Sequence, residues 1–201
     1  MKLFKKQFVL LFILALLIVG LVGCSEKEKV MKVAHLHGTF DINVDNVNEV
    51  VGDADNVFVG YVDKIEGTEY KFPVTVETEN GTKEVTSPYT NYSITVVDNI
   101  KGRLKKNNSI PMQKSGGISE DSDIYILYED DSLPEEGKYY IFNTYNQPDG
   151  SILISGPNSN IVLNVTDKSE IVSSKEYKKY KEAVKNEVKT DRKRFSSKYS
   201  N

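Results

Sequence analysis

Few residues in this chain have side chains suited to covalent or acid–base chemistry. Cys24 is the only cysteine among 201 residues, and His35 and His37 are the only histidines. The sequence has no G-x-S-x-G, S-x-x-K or H-E-x-x-H pattern and no glycine-rich phosphate loop. A serine triad that uses His35 or His37 stays open, since triads assemble in space. We therefore expect no catalytic activity, with a spatially assembled enzyme site as the alternative.

Cys24 lies at the junction of an apolar segment and a polar one. Three lysines in the first six residues precede an apolar run over 8–23, and a charged stretch follows Cys24. The run ends in Leu21-Val-Gly-Cys24, which resembles the bacterial lipobox, in which a peptidase cuts before a cysteine whose thiol carries a lipid. The resemblance implies a signal peptide over 1–23, cleaved between Gly23 and Cys24, and a tether over 24–32. An uncleaved membrane anchor and a plain signal peptide are the alternatives.

A lipidated Cys24 predicts where the protein acts. Two acyl chains, such as palmitate, are enough for stable anchoring at about 0.8 kcal/mol per buried methylene. The expected location is the outer face of the cell membrane. The single cysteine allows no disulfide within the chain, so stability must come from burial and hydrogen bonding.

The sequence offers only weak candidates for metal ligands. His35 and His37 have the i,i+2 spacing that places two side chains on one face of a strand. Asp41, Asn43 and Asp45 resemble the start of a calcium loop, but the turn glycine and the bidentate glutamate are absent. We expect no metal and no cofactor at these positions, and helix capping explains the second group better.

A run of acidic residues between two predicted strands is a further cation candidate. It comprises Glu129-Asp130-Asp131 and Glu135-Glu136. Like charges in a loop normally stay in water. The sequence therefore predicts a solvated loop, with weak calcium binding as the alternative.

The region over 33–173 has the pattern of many short strands. Alternating apolar residues and turn signals recur at close spacing, with Asn80-Gly81 as a hairpin signal and Gly60 as a bulge signal inside a strand. Pro111 indicates an edge strand. Before the strands, a short helix is expected to begin at Asp45 and close at Gly52. The fold class predicted is mainly β, a small OB-like barrel or sandwich.

Residues 174–201 change to a helical period. Aromatic and aliphatic residues recur at spacings of three, four or seven, and they are Tyr177, Tyr180, Val184, Val188, Phe195 and Tyr199. The segment 175–201 has ten basic and four acidic residues, whereas residues 7–174 carry a net charge of −12. A basic amphipathic C-terminal helix is predicted, which either docks on the barrel or contacts anionic lipid or wall polymer.

Several short motifs in the body carry a resemblance to known proteins. They are Ala54-Asp55, Val57–Val62, Tyr92–Val97, Ile100–Gly102, Gly137–Phe142 and Asp149-Gly150. Their order resembles that of OB-like domains in uncharacterised Gram-positive surface lipoproteins and, more distantly, netrin-like domains that include tissue inhibitors of metalloproteinases. The resemblance implies a binding role without naming a ligand. The inhibitors use disulfides and a free cysteine amino terminus, which this chain would lack.

We therefore expect a lipid-anchored extracellular binding or envelope-interaction module. Its partners would be the membrane, through Cys24, and an unknown protein or small ligand. Nucleic acid is not expected, because the folded body is acidic. An extracellular hydrolase and an immunity-type or structural partner protein are the alternatives.

Overall fold

The computed structural model describes residues 32–79, 81–120 and 124–201 and is mainly β, with 49% strand and 14% helix. This confirms the predicted fold class at the level of a small barrel or sandwich with short helices. The strands are β1 (Lys32–Leu36), β2 (Asn56–Thr78), β3 (Gly81–Lys101), β4 (Ser109–Ser115), β5 (Gly117–Ile118), β6 (Ile124–Tyr128), β7 (Tyr139–Asn146), β8 (Ile152–Ile154) and β9 (Asn160–Leu163). The helices are α1 (Val47–Asp53), a 3₁₀ helix (Lys168–Ser173) and α2 (Lys175–Lys185).

Five strands form a closed ring of hydrogen bonds. β2 pairs antiparallel with β3 on one side and with β7 on the other, the latter only over Asn56–Tyr61. The order β2-β3-β4-β8-β7 therefore returns to β2, with β9 added beside β7 and with β4 parallel to β8. Closure leaves few free strand edges. A separate sheet contains β1, β6 and β5.

The start of β2 is buried on both faces, which explains its unbroken apolar run. Phe58 and Val62 belong to a cluster with side chains from all five ring strands, so this cluster fills the interior. Val57 and Val59 point the other way and pack with α1, α2 and the 3₁₀ helix. The start of β2 therefore contributes to two hydrophobic cores. Successive side chains of a strand point to opposite faces, so alternate residues of β2 enter alternate cores.

The expected irregularity at Gly60 is present. The register between β2 and β3 shifts between Val59 and Gly60. A Cβ at Gly60 would lie 2.7 Å from Ile94 Cγ2 and 2.9 Å from Phe142 Cδ2. Glycine is required here because the ring closes tightly over the interior core.

The predicted hairpin is also present, and its strands are longer than expected. Thr78 pairs with Gly81 across the turn, and Asn80 itself lies outside the described residues. The strand pairing of β2 and β3 continues past the ring through register shifts, as a two-stranded arm over residues 64–86. Most arm residues are exposed.

β4 is an edge strand only in part. It pairs with β3 over Ser109–Lys114 and with β8 only at Gln113 and Lys114. Pro111 therefore occupies the half of β4 whose second side pairs with no strand among the described residues. That position suits a residue without a backbone donor.

Helix α1 begins one residue later than predicted. Asn46, not Asp45, is the N-cap, because its side chain accepts a hydrogen bond from Asn48 N at 3.1 Å. The helix also continues past Gly52 to Asp53. Glycine at position 52 therefore does not end the helix. It is required because a Cβ there would collide with the carbonyl oxygen of Val188.

The C-terminal helix is much shorter than predicted. It ends at Lys185, and residues 186–201, the strap, are irregular and run back across the domain. The strap's backbone donors find distant acceptors: Val188 N bonds Asn48 O at 3.0 Å and Lys198 N bonds Gly150 O at 3.1 Å. These tertiary bonds replace the i−4 bonds of a helix. Within α2 itself the apolar stripe docks on the sheet, with Tyr177 and Tyr180 buried.

Candidate functional site

A cleft of about 600 Å³ lies beside the outward face of β7. Three separate segments form its walls: the entry segment 39–44, the loop after β8 at 155–157, and strap residues 189–192. Asn143 and Tyr145 contribute from β7, and Asp53 contributes from the end of α1. A concave site where several segments meet is the usual place for a ligand.

Tyr145, Asp53 and Arg192 form a fixed group in this cleft. The Arg192 guanidinium carbon lies 4.9 Å from the centre of the Tyr145 ring, and its Nε lies 3.2 Å from Asp53 Oδ1. The Thr190 hydroxyl also donates to Asp53 Oδ1. Burial, followed by the nearby Asp53 carboxylate, raises the pKa of Tyr145, so its phenol stays protonated. These groups can bind and orient a ligand, and Tyr145 does not act as a base.

Asn143 is a buried polar residue on the wall of the cleft. Its Nδ2 donates to Asn158 O at 2.8 Å. Its side chain also makes a hydrogen bond with Tyr180 of α2. Buried polar atoms normally have a partner, and Asn143 meets this requirement by linking β7 to α2 and to the loop before β9.

Next to the cleft lies a buried ion pair. Lys114 Nζ contacts the two Asp131 carboxylate oxygens at 2.7 and 2.6 Å, and both side chains are almost fully buried. The same nitrogen donates to Ser159 Oγ at 2.7 Å and Gly156 O at 3.3 Å. Burial lowers the pKa of Lys114 to about 8 and raises the pKa of Asp131, and the attraction between the two charges opposes both shifts.

This group includes a serine–lysine contact of the kind that a hydrolase could use. Ser159 Oγ donates to Gly156 O at 2.6 Å and accepts from Lys114. In the ammonium form Lys114 donates to Asp131, Ser159 and Gly156, so its hydrogen bond with Ser159 runs from lysine to serine. The arrangement ties β4 to the acidic loop and to the loop before β9.

Sequence reasoning missed this group, although a signal was present. Ile110, Met112 and Lys114 alternate along β4, and the first two face the interior core. A period of two places Lys114 on the same buried face. Asp131, read as part of a solvated loop, is in fact its partner, so that interpretation of the acidic run is wrong at this position. The cleft residues Asn143 and Tyr145 had no distinguishing pattern.

The other acidic residues of the loop have separate contacts. Glu136 Oε1 accepts from Ile65 N at 2.6 Å, and Glu135 pairs with Lys138 at 2.7 Å. Glu129 Oε2 lies 2.8 Å from His37 Nδ1. The acidic run is therefore divided among several structural roles rather than gathered around one cation.

The histidines lie at the surface. His35 is in β1, opposite Leu127 of β6, and His37 follows the strand. In the ranges that the structure describes, no group of three or more His, Cys, Asp or Glu side chains could hold a metal ion.

The calcium-like residues support a helix start. Asn43 Oδ1 accepts from Asp45 N at 3.0 Å, and Asn43 N donates to Glu49 Oε2 at 2.8 Å. Asp41 lines the cleft. The turn and the first part of α1 therefore account for this group.

The strap's arginines are turned inward. Arg194 donates to Gly52 O at 2.7 Å, and it pairs with Asp55 at 3.1 Å. Arg192 donates to Asp53 O at 2.7 Å and pairs with Asp55 at 2.8 Å. These contacts satisfy carbonyl groups at the end of α1 that the helix leaves unpaired. They also hold the strap in place as a wall of the cleft.

Gly23 and Cys24 lie outside the described residues. In the described part of the chain, no helix has the length and apolar character needed to cross a bilayer. No family model matches the chain, and no curated protein matches it.

Proposed function

We propose that this chain is a lipid-anchored, non-catalytic binding module at the outer face of the cell membrane, and that the cleft beside Tyr145 is its ligand site. The lipobox at Leu21–Cys24 supports the anchor, and Cys24 would carry the lipid. The observation that carries the binding role is a cleft of about 600 Å³ whose walls include Tyr145, Asp53 and Arg192 in fixed positions.

The cleft's chemistry limits the ligand. Asp41 and Asp191 offer carboxylate acceptors, whereas Phe40 and Tyr145 offer apolar ring surface. The positive charges of Lys189 and Arg192 offset two of the three negative charges on the walls, which belong to Asp41, Asp53 and Asp191. A small polar molecule with a hydrogen-bond donor and an apolar part suits this combination.

The strand order supports the likeness to OB-like domains. A closed ring of five strands is the architecture of small Greek-key barrels, which commonly bind ligands on their surfaces. The strand order β2-β3-β4-β8-β7 and the parallel β4–β8 pair are compatible with such a barrel.

The anchor is tested by metabolic labelling with radioactive palmitate. The wild-type chain is expected to take up label and to fractionate with membranes, and the Cys24→Ala variant is expected to do neither. Label that persists in the Cys24→Ala variant would contradict the lipoprotein proposal.

The ligand site is tested with a photoreactive amino acid in place of Asp191, which is exposed at the cleft. After irradiation of intact cells, mass spectrometry of the full-length protein is expected to show a small-molecule adduct. Asn143→Leu makes a polar wall of the cleft apolar and should abolish the adduct, with thermal melting to confirm folding. The same amino acid at Lys178, which is exposed on α2, is the control. Equal adducts at both positions would exclude a specific site.

The exposed lysines of α2 support a second contact, with anionic lipid or wall polymer. Lys178, Lys181 and Lys185 are exposed, whereas Tyr177 and Tyr180 are buried. Each basic residue near an anionic surface contributes about 1 kcal/mol. Charge reversal of the three lysines in Cys24→Ala protein should therefore abolish binding to vesicles that contain anionic lipid. Unchanged binding would exclude this contact.

A further inference from the structure

The β2–β3 arm holds one aromatic side chain in an unusual position. Phe72 has a φ of 53° and its side chain is 65% exposed. Left-handed backbone is unfavourable for a bulky residue. Phe72 and Pro73 together oppose the single residue Thr86, so they form a bulge. Bulges redirect side chains, and this one directs an aromatic ring away from any core.

Phe72 forms an aromatic corner with Tyr89. Their ring centres are 5.9 Å apart, and the planes meet at 69°. Lys71 Nζ lies 5.5 Å from the centre of the Tyr89 ring. The corner borders a cavity of about 320 Å³, which shares no residue with the cleft.

Polar side chains beside the corner are held in fixed positions. Lys71 Nζ donates to Gln113 Oε1 at 2.8 Å. Gln113 Nε2 in turn donates to Glu69 Oε2 at 2.8 Å and to Asn91 Oδ1 at 2.7 Å. On the opposite wall, one Asp149 oxygen accepts from Ser151, and Gln147 presents a second amide. Lysine and aspartate charges balance across the cavity.

A row of neutral polar residues continues from the corner along β3. Asn91, Ser93 and Thr95 alternate with the buried Tyr92 and Ile94, so they face outward. Residues two apart on a strand are about 7 Å apart, so the row is longer than a single sugar ring.

These features match the chemistry of carbohydrate. A pyranose ring has an apolar C–H face that packs on an aromatic ring, and its rim carries hydroxyl groups that donate and accept hydrogen bonds. Carboxylates of Asp63, Glu66 and Glu69 are bonded to or near the row, which disfavours an anionic polymer. We propose that the Phe72–Tyr89 corner and the adjoining row on β3 form a binding site for a neutral oligosaccharide.

The test uses full-length protein in detergent micelles and N-acetylglucosamine tetramer and maltotetraose as probes. Isothermal titration calorimetry is expected to show binding of at least one probe, and tighter binding than for the corresponding disaccharide. Phe72→Ala should weaken binding by about ten-fold or more. Val74→Ala, another exposed apolar position on the arm, is the matched control and should bind as wild type.

A second variant separates binding from folding. Phe72→Gly relieves the left-handed backbone, so its Tm should rise while oligosaccharide binding is lost. Asn143→Leu should leave oligosaccharide binding unchanged. The experiment therefore distinguishes a failure of the proposed ligand site in the cleft from a failure of the proposed oligosaccharide site. Equal affinity of Phe72→Ala and wild type would overturn the proposal. Binding of polyglycerol phosphate or an extended peptide, with none of the neutral probes bound, would also overturn it.

Discussion

Removal of the charge on Asp131 should strongly destabilise the protein. In the Asp131→Asn variant the Lys114 ammonium, which is 0% exposed, loses the only carboxylate in contact with it among the described residues. Leaving a buried charge unpaired costs about 3–5 kcal/mol. Domains of this kind have a free energy of unfolding of about 5–15 kcal/mol, so the loss is a large fraction of the total.

The assay is equilibrium unfolding in urea, followed by circular dichroism. With a slope of about 2 kcal/mol per molar, the midpoint should fall by about 1.5–2.5 M. The control is Glu129→Gln, which removes a carboxylate from the same loop. Glu129 is half-exposed and pairs with His37 at the surface, so its loss should cost about 0.5 kcal/mol or less.

A double variant tests the reasoning directly. Replacing Lys114 with Met and Asp131 with Leu removes both charges, and Ser159 can still donate to Gly156 O. Such replacements are often neutral or stabilising, so the double variant should recover most of the lost stability. A loss below about 1 kcal/mol for Asp131→Asn, or a double variant less stable than the single one, would refute the buried-pair explanation.

Three further predictions concern stability. The pKa of Lys114 is about 8 in the folded state, against 10.5 for a lysine in water, so the unfolded chain binds more protons between these two pH values. The free energy of unfolding should therefore rise with pH from 8 towards 10.5, and Lys114→Met should remove this contribution in urea titrations. Arg194→Ala breaks its bond to Gly52 O and should lower the Tm by about 4–12 °C, a loss that lysine at 194 does not restore. Gly60→Ala forces a methyl against Ile94 and Phe142 and should cost about 1–3 kcal/mol in urea unfolding.

The β pattern was predictable because it depends on local alternation. The run from Val57 to Val62 and the turn at Asn80-Gly81 specify strands and a hairpin without knowledge of distant residues. The glycine at position 60 likewise indicated a bulge. These features require only that one or both faces of a strand be buried.

The C-terminal half of the tail shows where this reasoning fails. Val188, Phe195 and Tyr199 fit a helical stripe, but their backbone groups have distant partners. Val188 N donates to Asn48 O, Phe195 O accepts from Asn146 Nδ2, and Tyr199 O accepts from Lys105 N. Tertiary hydrogen bonds outweigh a weak local preference. The cleft was also unpredictable, because Asn143, Asp53 and Arg192 come from three distant parts of the chain and meet only after the ring has closed.

The strap also determines the order in which this protein can assemble. Helix α1 has seven residues, too few to persist alone. The carbonyl oxygen of Gly52 accepts a hydrogen bond from the guanidinium of Arg194, which lies 142 residues further along the chain. Contacts of such separation form late and slowly. The contact between α1 and the strap therefore forms only after residue 194 has been synthesised.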